Sequence, residues 1–485
     1  MSITKALSNA VSGLSATARG TETVAANLAN VMTPGYARRE LNVSAQTFGG
    51  AGGGVRIDGV ARVINAGLLA EMRLANAASA EASTRLSFAK AMEGAVGLPG
   101  EIGGLGTSLS TFRAALSEAS TRPDDETRLR GALSAAQILS QRLNAVSDTV
   151  QAQRSNASHA ISRDVNLLNT SLDQVAYLNR RISIISAQGS DVASLIDERQ
   201  LIIDRINTIV PIQEVARDAG KVALFTSEGA VLLDGSKPSQ FEVTPVPHLT
   251  PDMTVGTPPM GRLVMDGAEL TASQMRLFSG GTLAASFLIR DELAPQAQRE
   301  IDSFALELHN RLSDSSVDPS LSGTVPGLFT DAGGMANAAN MTGLAGRISV
   351  NELVDPDVGG ELWRLRDGLA APTSGPVGDS GLLTRLSEAL DRVVSPPSGS
   401  VFDGNSSLTQ RLAALESRVS SRRITSETEN AVRNSRSGTI TARFLDDGVD
   451  SDAEMQSLLR YEQAYAANAR VIQAIDEMMN QLLRL

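Results

Sequence analysis

The chain has 485 residues, a formal net charge of -11, 42% hydrophobic but only 3% aromatic residues, and no cysteine. At roughly 150 residues per domain that length supports more than one core, while the acidic balance argues against a nucleic-acid or anionic-membrane partner, since either needs a basic face. The missing cysteines exclude disulfides, thiolate nucleophiles and cysteine-ligated metals, and the scarce aromatics leave Leu, Ile, Val and Ala to build the cores, a composition suited to helical packing.

The first thirty residues carry Ile3, Leu7, Ala10, Leu14, Ala18, Thr21, Ala25, Leu28 and Val31 on three- and four-residue steps, which predicts an amphipathic helix. It opens without a charged leader or an apolar block, so export, if it occurs, is expected to proceed without a cleaved signal. Pro34 disfavours a helical Thr33 and Gly35 supplies the positive φ of a type II turn, so the chain is expected to turn sharply within Thr33 to Tyr36. Asn27 and Asn30 share one face of the last helical turn, where their amides meet free carbonyls or a neighbouring subunit, or simply punctuate the helix end.

From Ala37 the pattern is extended, with GGAGGG at Gly49 to Gly54 leading into the alternating Val55, Ile57 and Val60, read as a flexible loop and a strand. The glycines lack GxGxxG or GK[ST] spacing and give no phosphate-binding loop. A helix follows over Asn65 to Met92. Pro123, Asp124, Asp125 and Glu126 then mark the start of the longest element, since between Gly131 and Gly189 there is neither glycine nor proline. Its heptads run from Leu129 to Val150 and resume from Ile161 to Ile185, and the polar QAQRSNASH at Gln151 to His159 reads as a solvent-exposed stutter or bend. A shorter helix at Leu195 to Ile206 is expected to hold Asp197 and Arg199 in exposed charge pairs.

Short β-like runs at 212–216, 222–226, 230–233, 241–243 and 263–265 define a small β domain, with the proline-rich 245–261 as a surface loop. Helical pattern returns after Gly281, with Leu288, Ile301, Phe304, Leu308 and Leu312 on one face, and again at 382–394 and 408–432, where two helices are expected against the long one. Residues 313–380 are loop-rich and carry no clear pattern. The last helix, capped by a Ser451/Glu454 box, sets Met455, Leu459, Ala466, Ala469, Ile472, Ile475, Met479 and Leu482 on one stripe. The two terminal stripes either close on each other within one subunit or pack mainly between subunits; the second is the reading adopted.

No catalytic constellation is visible. His159, His248 and His309 are far apart without HExxH spacing, no GxSxG exists, and the acidic 446–454 run lacks the order of a calcium loop. No metal and no cofactor are expected.

The fold expected is mainly α with a small inserted β domain: a terminal-helix assembly domain (1–36 plus 450–485), a helical bundle (37–208 plus 286–449) and an outer β domain (209–285). NLANVMTPGYARRE, from Asn27, and LLRYEQAYAANARVIQAIDEMMNQLLRL, from Leu458, resemble the terminal motifs of the axial proteins of the bacterial flagellum. LIDERQLIID after the long helix, and the stretch from Gly281 to Leu312, are similar to the hook-associated protein 1 family within them. The resemblance implies a non-enzymatic ring joining hook to filament, exported through the flagellar type III apparatus. It also implies a cytoplasmic chaperone at the C-terminal region, hook protein below and the second hook-associated protein above. It places assembly roles on Asn27, Asn30, Thr33, Pro34, Gly35 and Tyr36, and on Tyr461, Tyr465, Asn468 and Ile472. The stripes add Leu7, Leu14, Leu28, Ile475, Met479 and Leu482. A rod or hook protein, or a non-flagellar coiled-coil scaffold, is the alternative; the long heptad helix separates the first from the family named.

Overall fold

The structure, a computed structural model, describes residues 3–48, 51–256, 260–323 and 325–483. In chain order it opens with α1 (Ile3–Ala29), a hairpin of β1 (Arg39–Phe48) and β2 (Ala51–Arg62), then α2 (Ala66–Val96), α3 (Leu105–Thr121), α4 (Glu126–Ala187) and α5 (Ala193–Ile209). Strands β3 (Ile212–Ala216), β4 (Val222–Thr226), β5 (Val231–Asp234), β6 (Lys237–Pro238), β7 (Phe241–Glu242), β8 (Val264–Met265) and β9 (Ala268–Glu269) follow. Then come α6 (Ala272–Met275), α7 (Gly281–Leu288) and α8 (Ala294–Leu312). The loop-rich segment holds β10 (Phe329–Asp331), α9 (Leu344–Arg347), β11 (Ile348–Val350) and α10 (Arg364–Asp367), before α11 (Gly381–Asp391), α12 (Leu408–Asp446) and α13 (Ser451–Leu482).

The 62-residue α4 is the axis of the body, started by the Asp125 carboxylate accepting from the Thr127 amide. Its first half lies in one apolar core with α3, α8, α11 and the start of α12, where Phe112 meets Phe329 edge to face at 5.7 Å. Its second half, from Ile161 to Ile182, lies in another with α5, α7 and the strands. The strands form sheets ordered β3-β4-β5-β6 and β7-β8-β9. The β unit therefore has no core of its own: it is completed by the same helix that organises the bundle.

Several expectations change. The polar stretch at 151–159 does not interrupt α4 and is only partly exposed: the helix is continuous and Arg154, at 2% exposure, donates to the carbonyls of Arg290, Thr250 and Met253. A guanidinium with fixed donors satisfies backbone that would otherwise be buried unpaired, so the polar step docks the proline-rich loop, whose Val246, Leu249 and Met260 are buried. Asp197 and Arg199 are likewise buried, not exposed; Asp197 receives Arg39 and Arg62, and Arg199 donates to Asn179 and the Gly220 carbonyl. The predicted 408–432 helix runs on to Asp446 and packs antiparallel along the alanine-rich α2, with Ser437 bonded to Asn76 at 2.5 Å and Arg423 paired with Glu93 at 2.9 Å. His309 is buried, its Nδ1 2.7 Å from the Phe329 carbonyl, and burial pushes its pKa down; His159 and His248 are exposed.

The unpatterned 313–380 segment folds onto the bundle through buried side chains. Asp302 of α8 accepts from the Gly343 and Ala345 amides at 2.7 and 2.8 Å, and Asn351 donates to the Pro326 and Gly327 carbonyls. Burial raises Asp302 to about 6.

Candidate assembly site

The terminal helices pair with each other inside one chain. Asn27 meets Glu454, Gly20 lies under Tyr461, and Gly13 lies under Asn468. Each pair is seven residues from the next on both helices, so α1 and α13 run antiparallel in a heptad register. The glycines make it possible: a Cβ on Gly20 would sit 2.5 Å from the Tyr461 ring and one on Gly13 would sit 2.9 Å from the Asn468 amide. A tyrosine and an asparagine thus fill spaces that any larger residue on α1 would close. One heptad further Ile475 is buried to 2% exposure. The centre of this face is covered by α1 of the same chain, as in the first of the two sequence readings, while most of α13 stays exposed.

At the other end of the pair the chain turns. The Tyr36 amide bonds the Thr33 carbonyl at 3.2 Å and Gly35 has φ 77, as the Pro-Gly dipeptide predicts. A Cβ at Gly35 would lie 2.5 Å from the Leu201 side chain, which fixes the turn against α5. Asn27, wholly buried, is the centre of the joint. Its amide donates to the Arg39 carbonyl at 2.8 Å and to Glu454 at 3.1 Å, while its oxygen accepts from the Tyr36 hydroxyl and the Arg39 amide, both at 2.9 Å. Glu454, at 1% exposure, takes its second bond from Arg38 at 2.7 Å, and that bond raises the Arg38 pKa. Burial raises the Tyr36 hydroxyl pKa. A buried carboxylate facing an amide and a guanidinium donor has its hydrogen bonds met without water. Glu454 therefore does not form the expected capping box with Ser451; Asp450 caps α13, accepting from the Asp452 and Ala453 amides.

The joint continues into the body through charge. Arg39 and Arg62 of the hairpin converge on Asp197, and Arg62 also donates to Gln200. Arg73 of α2 bridges Asp204 of α5 and Glu214 of β3. The hairpin lies along α1, where the Ser12 hydroxyl accepts from the Val55 amide.

Of the sequence-predicted assembly residues, Asn27, Gly35, Tyr36, Tyr461, Asn468 and Ile475 fall on this intramolecular seam or joint. Leu7, Leu14, Leu28 and Ile472 are half-buried, and Asn30 is held locally, donating to the Ala26 carbonyl and accepting from Thr33. Thr33, Pro34, Tyr465 and Met479 are exposed, and the side chain of Leu482 lies outside the described residues. Met455 and Leu459 of the expected stripe are exposed on one flank of α13, with Val471 and Met478 on the other. Sequence reasoning missed Gly13, Gly20, Glu454, Arg38, Arg39, Arg62 and Asp197. Only the shared seven-residue spacing of Gly13/Gly20 and Tyr461/Asn468 was available to find the first two.

Among the described residues no group of His, Asp or Glu suits a metal ion, and no helix is long and apolar enough to cross a membrane. A groove of about 470 Å³ lies at the joint between Val31–Arg38 and Phe444–Val449. Chemically the joint offers no reactive group: Glu454 and Asp197 are engaged by guanidinium groups, and the groove beside them is lined by apolar side chains and the exposed Asp446 and Asp447.

Three family models match the chain: the flagellar hook-associated protein FlgK helical domain over residues 92–316, the flagellar basal body rod FlgEFG protein C-terminal over 447–485, and the flagella basal body rod protein over 7–36. The last two take in α13 and the Asn27–Tyr36 turn. Flagellar hook-associated protein 1 of Bacillus subtilis is 25% identical over 516 residues, covering 98% of this chain and 97% of that one. Its namesake in Salmonella typhimurium is also 25% identical, over 49% of this chain and 44% of its own. The solved flagellar hook junction protein FlgK from Burkholderia pseudomallei aligns with 54% of this chain and 46% of its own, at 21% identity and a TM-score of 0.43.

Proposed function

The chain belongs to the family of flagellar hook-associated protein 1, a structural component of the bacterial flagellum at the junction of hook and filament, and from that premise we propose how it serves there: as an adaptor ring whose copies meet through α1 and α13. The observation that carries the reading is the half-covered terminal pair. One face of α13 lies against α1, with Glu454 and Ile475 buried, while Met455 and Leu459 on one flank and Val471 and Met478 on the other stand in water along a helix about 48 Å long at 1.5 Å per residue. Such flanks gain stability when neighbouring copies cover them, at about 25 cal/mol per Å² removed from water.

The same exposed flanks supply what a cytoplasmic export chaperone would hold before assembly, and the two ends of the ring would present hook protein and the second hook-associated protein with different surfaces. The joint residues Asn27, Gly35, Tyr36 and Glu454 act as positioning groups that fix the angle between rod and body, and no catalytic role is proposed. The working division is a rod of α1, the hairpin and α13, carrying a bundle and β unit that share α4. The 62-residue α4 favours this family over a rod or hook protein.

The test is complementation of a motile bacterium deleted for its own hook-associated protein 1. Full-length chain should restore filaments, whereas chain ending at Asp450, without α13, should leave filament protein in the medium. Attached filaments and wild-type swimming in the truncated strain would overturn the proposal.

A further inference from the structure

The half-covered α13 is not the only surface left open beside the joint. In the groove there, Met32 is 89% and Leu445 67% exposed, with Val31 beside them, and the carboxylates of Asp446 and Asp447 at its edge have no ion-pair partner among the described residues. An exposed methionine over an apolar trough rimmed by free acids is complementary to an aliphatic surface bearing free cations. Such a surface lies on α12. Val432, Arg436, Thr439 and Arg443 line one exposed side of that helix. Arg443 has no carboxylate partner among the described residues, and Arg436 has only Glu71, at 3.9 Å with both side chains more than half exposed.

The placement of the two surfaces decides how they can meet. Ile440 and Phe444 form the seam of α12 against α2. At 100° per residue Arg436 and Leu445, nine residues apart, lie on opposite flanks of that seam, whereas Asp446 and Asp447 follow Arg443 by three and four residues and share its side of the helix. Arg436 and Asp446 are separated along the helix by only about 15 Å. A rigid helix cannot seat its own flank in its own groove, so the occupant is a second copy, and in a ring each copy gives its flank to one neighbour and its groove to the other. The arrangement suits a head-to-tail contact at one level, repeated round a closed ring.

We propose that the Val432–Arg436–Arg443 flank of α12 in one copy docks in the Met32–Leu445–Asp446 groove of the next copy, a lateral contact outside the terminal helices. The inference rests on the ring reading above. Exposed charges at short range add orientation and rate, and the buried aliphatics hold the contact once made.

The chain's lack of cysteine makes the experiment direct. Two versions, Thr439→Cys and Leu445→Cys, both at exposed positions, are co-expressed in cells deleted for the native protein, and isolated hook–filament structures are oxidised. A disulfide-linked dimer should form from the mixture and be absent from either version alone. Arg436→Glu with Arg443→Glu should abolish the dimer and filament retention, as should Asp446→Arg with Asp447→Arg, and the chain with all four changes should recover both. Chain at hook tips without the mixed dimer, or a cross-link to a different protein, overturns this contact and leaves the ring reading standing. Absence of the chain from hook tips overturns both.

Discussion

The rod and the body of this molecule are held by different physics. In the body, α4 packs into two apolar cores of Leu, Ile, Val and Phe, and buried polar groups such as Arg154 and Asp302 are held by several hydrogen bonds. In the rod, two helices touch along a single seam whose specificity comes from glycine spaces and a polar knot at Asn27, and the rest of α13 faces water. A surrounded helix gains most of its stability within the subunit; a one-sided pair gains the remainder only from neighbours. On the function proposed above, folding belongs to one region and assembly to the other.

The comparison breaks most visibly in the body. Phe304 is fully buried in α8, so Phe304→Ala should cost about 3–5 kcal/mol and lower the main thermal transition of the purified chain. A melt unchanged from wild type would show that the bundle is not the cooperative core. A smaller effect is expected from Asp302. Its folded pKa, about 6, lies above the ordinary 3.8 because of burial, so the folded state binds the proton more readily than the unfolded state. Its contribution to stability is therefore fully present below about pH 3.8 and is lost as pH rises through about 6. Subtracting the melts of Asp302→Asn from those of wild type between pH 4 and 7 isolates this contribution; a difference that grows in the opposite direction with pH contradicts the assignment. The smallest effect on the main transition should come from the rod. Gly20→Val drives a side chain into the Tyr461 ring and should free α13, seen as rapid proteolysis after residue 450 and loss of filament retention, with the body's melting left in place. A large drop in that transition would mean that rod and body fold as one unit.

Much of this was legible in the residues. The two terminal stripes, the Pro34–Gly35 turn, the glycine-free run of α4 and five of the short strands are local patterns, and local patterns are what a sequence displays. What it hides is which polar residue meets which. Asp197, Arg199 and Arg154 read as solvated because their partners, Arg39 and Arg62, Asn179, and three backbone carbonyls, come from tens to more than a hundred residues away. The Ser451/Glu454 box was misread for the same reason: a glutamate three residues past a serine suits a cap, and only the return of α1 shows that it serves Asn27 and Arg38 instead. The apolar stripe of α13 was drawn too far round the helix, since the face that α1 covers is centred on Tyr461 and Asn468, which are polar at one end and so were passed over as seam residues.

The seven-residue repeat of the α1–α13 seam carries a danger and its remedy. A pair of helices with identical spacing can slide by one heptad and still interlock, Tyr461 moving from Gly20 to Gly13 without a clash. Glu454 forbids the slide, because one heptad along it would lose Asn27 and face a glycine, a buried carboxylate without donors. Asn27 and Glu454 thus act as a registration key, spending some stability to exclude the wrong alignment. Every copy then extends the same distance beyond its joint, and a set of copies standing side by side ends on a common plane.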